Sequence, residues 1–154
     1  MSAETKLTEL GIELPAPPSP MGNYIGGVRV GNLLFMSGCG PRKPDNSSIT
    51  GKVGRDLTTE QGYKAARLVG LNMLANVRDQ LGSLDKVRRV VKVLGMVNAD
   101  PAFKEHPKVV NGFSDLMVEV FGESSGRGGR AAVGMGSLPG QIAVEVEMIL
   151  EVAD

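Results

Sequence analysis

A glycine-rich run from Gly122 to Gly129 leads into Arg130, which opens a strand predicted over Ala131 to Gly136. Side chains in a strand alternate with period two, so Ala132, Gly134 and Gly136 share the side of Arg130 while Val133 and Met135 point the other way. An arginine that overlooks so little side-chain bulk is a candidate anchor for a small ligand. The following strand, predicted over Ile142 to Val152, alternates cleanly: Ile142, Val144, Val146, Met148, Leu150 and Val152 on one face, Ala143, Glu145, Glu147, Ile149 and Glu151 on the other. If Leu138 to Gln141 form a turn with Pro139 and Gly140 central, the ladder pairs Gly136 with Ala143 and Gly134 with Glu145. Arg130 and Glu145 then share a face with roughly 13 Å between their backbones, a gap that two long side chains and a small ligand can fill. A change of one residue in the loop separates them. The alternative for Arg130 is a solvated or ion-paired surface position.

Two other residues carry chemistry by type. Cys39 lies between Gly38 and Gly40, just after Ser37, at the end of a predicted strand; the glycines permit close backbone approach and suit a ligand-lining loop. A bend at a sheet edge with a small buried thiol fits the same residues. His106, at the start of a predicted helix, reads as a surface or capping residue rather than a catalytic base. The chain has no phosphate-cradling GxxxxGK[ST], no GxSxG elbow and no HExxH.

The elements that must hold these residues follow from periodicity and punctuation. Ser2 to Leu10 forms a short helix, and Pro15, Pro17, Pro18 and Pro20 then enforce an extended strap. Tyr24 to Val30 and Asn32 to Ser37 read as a strand pair about Gly31, and Gly51 to Gly54 as a short edge strand. Thr58 with Gln61 resembles a capping box, and the apolar stripe from Ala65 to Leu81 runs up to the stop signal Gly82. Gly62 and Gly70 within that helix suggest close packing on a sheet. Asp100 and Pro101 look like a cap and first-turn pair, and a second main helix covers about Pro107 to Phe121. The fold class is α+β, a mixed sheet with both helices on one face. Val87 to Asn98 is apolar on both parities, so the sheet's second face needs covering as well, which implies a closed homo-oligomer.

At 154 residues the chain is expected to be one domain, residues 1–154, with an N-terminal extension over 1–20. One cysteine and one histidine exclude an internal disulfide framework and leave too few soft ligands for an ordinary zinc site. Seventeen basic and seventeen acidic residues lack the basic field of a nucleic-acid binder. No apolar run is long enough to cross a bilayer and no targeting segment is recognised, so the cytoplasm is the expected location.

The blocks GNYIGGVRVGNLLFMSGCGP at Gly22 to Pro41, GKVGRDLTTEQGYKAARL at Gly51 to Leu68 and RAAVGMGSLPGQIAVEVE at Arg130 to Glu147 resemble the reactive intermediate deaminase family, the Rid or YjgF-like proteins formerly described as endoribonuclease L-PSP. The resemblance covers nearly the whole chain. It implies a chorismate-mutase-like fold assembled as a homotrimer with ligand clefts between subunits, and hydrolysis of small 2-imino or enamine acids to 2-keto acids and ammonia without a cofactor or metal. By the same match Arg130 grips the substrate carboxylate, Glu145 helps position the attacking water, Tyr24 is a cleft aromatic, Ser37 and Gly38 form the wall near the ligand, and Asn111 is a polar position on the second helix. A planar guanidinium suits that role because it holds a carboxylate through two parallel, charge-assisted hydrogen bonds.

The chain departs from the deaminase pattern where typical members read RSCVEV: it has RAAVGM, with Ala132 in place of cysteine and Gly134 in place of glutamate. The resemblance is therefore to a divergent subgroup. A protein that binds a 2-keto acid or related metabolite without turning it over is the second reading. A ribonuclease is the third, disfavoured by zero net charge, two tyrosines and no tryptophan.

Overall fold

A computed structural model describes residues 2–154. The chain runs through a short helix α1 (Ala3–Glu9), strands β1 (Gly27–Val30) and β2 (Leu33–Cys39), and the long helix α2 (Thr59–Leu81). It continues through β3 (Val87–Asn98), α3 (His106–Phe121), the single turn α4 (Glu123–Gly126), β4 (Gly129–Met135) and β5 (Val144–Val152). The strands make one sheet in the order β1-β2-β5-β3-β4, antiparallel throughout except for the parallel pair β3 and β4. This is the expected mixed sheet with two helices on one face.

Local sequence explains the main boundaries. Thr58 accepts a hydrogen bond from the Gln61 N–H at 3.1 Å while the Gln61 side chain accepts from the Thr58 N–H at 2.8 Å. This reciprocal pair satisfies two of the donors that a helix start leaves over. At the other end Gly82 takes the left-handed conformation, φ +81°, and returns its N–H to Arg78. The core lies between the two helices and the sheet, around fully buried Phe113, Met73, Leu74, Leu116 and Met117. Truncating Phe113 to alanine there costs about 3–5 kcal/mol. At the N-terminus Leu7 joins this core, and Glu4 takes two hydrogen bonds from Arg78 at 3.1 and 2.6 Å, which docks α1 on the end of α2. The prolines after it run extended, and the Ala16 carbonyl accepts from Arg42 at 2.8 Å.

Four expectations change. First, β4 and β5 are not a hairpin: β3 lies between them, pairing Arg130 with Val93 on one edge and Met148 with Val93 on the other. The expected turn over Leu138 to Gln141 does form, with the Gln141 N–H donating to the Leu138 carbonyl at 2.9 Å and Gly140 at φ +60°, but the reversed chain lands on the far side of β3. Second, Gly51 to Gly54 makes isolated bridges of Thr50 with Ile142 and of Val53 with Ala99 and Leu57, not a strand. Third, Asp100 and Pro101 form a turn in which Asp100 accepts from the Ala102 N–H at 2.9 Å rather than a helix cap and first turn, while α3 begins at His106, next to its expected start. Fourth, Gly62 and Gly70 serve helix against helix rather than helix against sheet. A Cβ on Gly70 would stand 2.8 Å from Leu116, and one on Gly112 of α3 would run into the Tyr63 carbonyl.

The helices cover only one face of the sheet. On the other, Val28, Val30, Phe35, Val91 and Val133 are exposed, and Leu94, Met96 and Ile149 are half-buried among them. No helix among the described residues is long and apolar enough to cross a membrane.

Candidate functional site

Arg130 stands in register with Val93 and Met148, which are both buried beneath the helices, so its side chain is directed at α3. One face of α3 receives it. Asn111 Oδ1 and Ser114 Oγ accept from Nη1 at 2.8 and 3.2 Å, and the Pro107 carbonyl accepts from Nη2 at 3.4 Å. Residues 107, 111 and 114 meet on that face because they are four and three residues apart on a helix. Nε–H has no protein acceptor among the described residues and Nη2 has only the 3.4 Å contact with Pro107, so the edge that carries Nε and Nη2 is the one open to a carboxylate. Beside the guanidinium an open groove of about 630 Å³ runs along α3 past Ser114, Asp115 and Glu119 toward Arg127 and Gly128.

Glu145 belongs to the opposite face. It is aligned with Met96 and Val133 on the side that the helices leave bare, so Arg130 and Glu145 of one chain do not share a face as the hairpin register required. The carboxylate lies against β2, where a Cβ on Gly38 would stand 2.9 Å from Oε1. Burial raises the Glu145 pKa above the ordinary carboxylate value, and the negative charge of Glu147 adds to the rise.

Ser37 and Gly38 sit where the pairing of β2 with β5 slips between Met36 and Cys39. Such a slip bends a strand and re-aims its side chains. The Ser37 hydroxyl donates to the Ile25 carbonyl at 2.5 Å, fixing the segment that follows Tyr24. Tyr24 itself is half exposed, and its hydroxyl accepts from the Met21 N–H at 3.3 Å. Cys39 turns the other way, in line with buried Val146, and its sulfur accepts from the Asn76 amide at 3.2 Å. Burial pushes its thiol up to about 11 despite that hydrogen bond, which removes the thiolate a nucleophile needs at neutral pH.

The candidate residues thus fall into two groups. Arg130 and Asn111 meet on the helix side of edge strand β4, while Glu145, Gly38, Ser37 and Tyr24 gather around the bare face and the β1–β2 end. Cys39 lies behind the second group, facing α2. Ser114 escaped the sequence reading, although its spacing of three from Asn111 on a helix was the available signal. His106, read as a surface or capping residue, is half-buried, with its ring beside Gly134: a Cβ there would stand 2.5 Å from Nε2.

Residues 4–149 match the family model described as "YjgF/chorismate_mutase-like, putative endoribonuclease". The chain belongs to the YjgF/chorismate-mutase-like family, the Rid proteins. Protein TCP17 of Trypanosoma cruzi is 43% identical over 145 residues, covering 94% of this chain and 91% of the relative. A 2-iminobutanoate/2-iminopropanoate deaminase of Dermatophagoides farinae is 32% identical over 140 residues, covering 90% and 93%. Among solved structures, the protein Atu1372 of Agrobacterium tumefaciens, of unknown function, is 43% identical with a TM-score of 0.87, covering 97% of this chain and 91% of that one. Within the YjgF/chorismate-mutase-like fold, the glycine at 134 has a local cause in this chain, because the imidazole of His106 fills the place of a side chain.

Proposed function

We propose that this Rid protein hydrolyses small 2-imino acids to 2-keto acids and ammonia, in a cleft formed between copies of the chain in a homotrimer. The observation that carries the reading is the guanidinium of Arg130, held on one side by Asn111 and Ser114 and with its Nε and Nη2 edge open to a carboxylate. The deaminase name of the Dermatophagoides farinae relative supports the same chemistry.

Arg130 binds the substrate carboxylate and fixes the imine carbon next to it. Glu145, supplied by a neighbouring copy, orients a water and takes its proton as the oxygen bonds to the C=N carbon. The nitrogen gains protons, the tetrahedral adduct collapses, the C–N bond breaks and ammonia leaves the 2-keto acid. A carboxyl whose pKa is raised by burial suits both the accepting and the returning of that proton. The neighbour's second group also contributes the wall of Ser37 and Gly38 and the aromatic ring of Tyr24, with the Cys39 backbone closing the end of the strand. The apolar bare face around Phe35 and Ile149 is the surface that assembly buries. No resident cofactor enters these steps, and the cytoplasm is the proposed location.

A non-catalytic carboxylate-binding protein is the second reading. It is favoured by one observation: the Arg130 group is complete within a single chain, whereas Glu145 is not beside it. An amino-acid oxidase that releases 2-imino acids in the presence of semicarbazide separates the two. Less semicarbazone with the wild type but not with Arg130→Ala supports hydrolysis. No change with any amino acid, together with retained 2-keto acid binding, supports the binding protein.

A further inference from the structure

His106 is the first residue of α3, and its ring lies against β4 at Gly134, with Nε2, Cδ2 and Cε1 at 2.5, 3.2 and 3.6 Å from the position of a Cβ on that glycine. Phe103 meets it edge-on, with ring centroids 5.1 Å apart, and neither ring nitrogen has a hydrogen-bond partner among the described residues. The ring is therefore placed by shape, between Phe103 and a strand position without a side chain, while its polar atoms remain unspent. A neutral imidazole offers one donor and one acceptor. The nearby carboxylate of Glu105 is already engaged by Lys108 and Thr59.

Arg130, Ala132 and Gly134 point to the same side of β4, so guanidinium and imidazole flank the small side chain of Ala132. Their strand positions are roughly 13 Å apart. The Arg130 side chain leans along α3 toward the residue that follows His106, since the Pro107 carbonyl accepts from Nη2 at 3.4 Å. With the imidazole seated over Gly134, the two groups bound one gap on the helix side of β4, over Ala132. A four- or five-carbon chain with an acidic group at each end spans it when each end makes a hydrogen bond of about 2.8 Å.

We infer that His106 is a specificity-determining residue that takes the second carboxylate of a dicarboxylic 2-imino or 2-keto acid whose first carboxylate is held by Arg130. The inference rests on the role given to Arg130 above. The positive end of α3 adds to the preference for an anion at its first residue.

Calorimetry with two five-carbon probes tests it: 2-oxoglutarate, which carries the distal carboxylate, and 2-oxopentanoate, which lacks it. The wild type is expected to bind 2-oxoglutarate about tenfold more tightly, the effect of one charge-assisted hydrogen bond. His106→Ala should bring the ratio of the two affinities close to one, and His106→Asn should keep part of it. Gly134→Ala attacks the same ring from the strand side and should also erase the ratio, because its Cβ displaces Nε2. Circular dichroism establishes that each variant is folded. A ratio that His106→Ala leaves unchanged, or a wild type that does not distinguish the probes while Arg130→Ala weakens both, overturns the role of His106 and leaves that of Arg130 standing. A wild type that binds neither probe overturns both.

Discussion

The Glu145 carboxylate occupies the space that a side chain on residue 38 would need, with Oε1 2.9 Å from where a Cβ on Gly38 would stand. The glycine is a seat for the acid. Gly38→Val should push Glu145 off β2 and lower kcat for imine hydrolysis by about 10²-fold or more, in the range of losing a positioned proton-transfer group. The value of KM, which the proposed mechanism assigns to Arg130, should move far less. An unchanged kcat in a folded Gly38→Val protein would falsify the role of this seat.

Asn111 acts through Arg130. Removing its acceptor in Asn111→Ala frees the guanidinium end now held at 2.8 Å and should weaken carboxylate binding by about tenfold. Ser114→Ala removes the longer, 3.2 Å contact and should have a smaller effect in the same direction. Titration of a 2-keto acid into each variant checks the order, and a larger loss for Ser114→Ala than for Asn111→Ala would reverse it.

The raised pKa of Glu145 has a sign that a thermal melt can read. Burial disfavours the charged carboxylate first, and Glu147 second, so the native state binds this proton more tightly than the unfolded chain does. The associated stability is present below the unfolded value of about 4.5 and is lost as pH rises through the higher folded value. Glu145→Gln should therefore melt like the wild type at pH 4 and higher than it near pH 7. The group is only half-buried, so solvent screening limits the gain to under about 1 kcal/mol, or at most about 2–4 °C. A variant that melts lower at neutral pH than at acid pH, relative to the wild type, contradicts the assigned cause.

Cys39 should be chemically quiet. With its thiol at about 11 and its sulfur buried toward Asn76, alkylation of the native protein at pH 8 should run at least roughly a hundredfold slower than that of an exposed cysteine, and full reactivity should return in denaturant. Rapid labelling of the folded protein would show that the β2 end opens.

Periodicity reached the strands and helices because each signal was local. The capping box at Thr58 and Gln61, the stop at Gly82 and the two-sided apolar pattern of Val87 to Asn98 each describe one stretch of chain. The alternation of Val144 to Val152 assigned its buried face correctly for the same reason. The pairing partner of β5 was not legible, since the turn at Pro139 and Gly140 forms as a hairpin needs, yet it returns the chain on the far side of β3. That strand can take a neighbour on each side, and only tertiary packing decides which. The misplacement carried through to the site, because exchanging a neighbour for a second neighbour moved Glu145 to the face opposite Arg130. Gly134 likewise read as a missing glutamate, while its reason lies with His106, distant in sequence and visible only once α3 is laid against β4.

Arg130 and Glu145 point away from each other across one sheet, and this makes the proposed activity a property that chains can share unequally. Arg130→Ala and Glu145→Gln are each expected to be inactive alone, yet the proposed trimer, reassembled from both, would hold clefts in which the arginine of one chain meets the glutamate of the other. Random mixing restores about one cleft in four. Two dead proteins would then recover turnover on being unfolded and refolded together, and a lineage carrying one defective copy of the gene beside another could remain active.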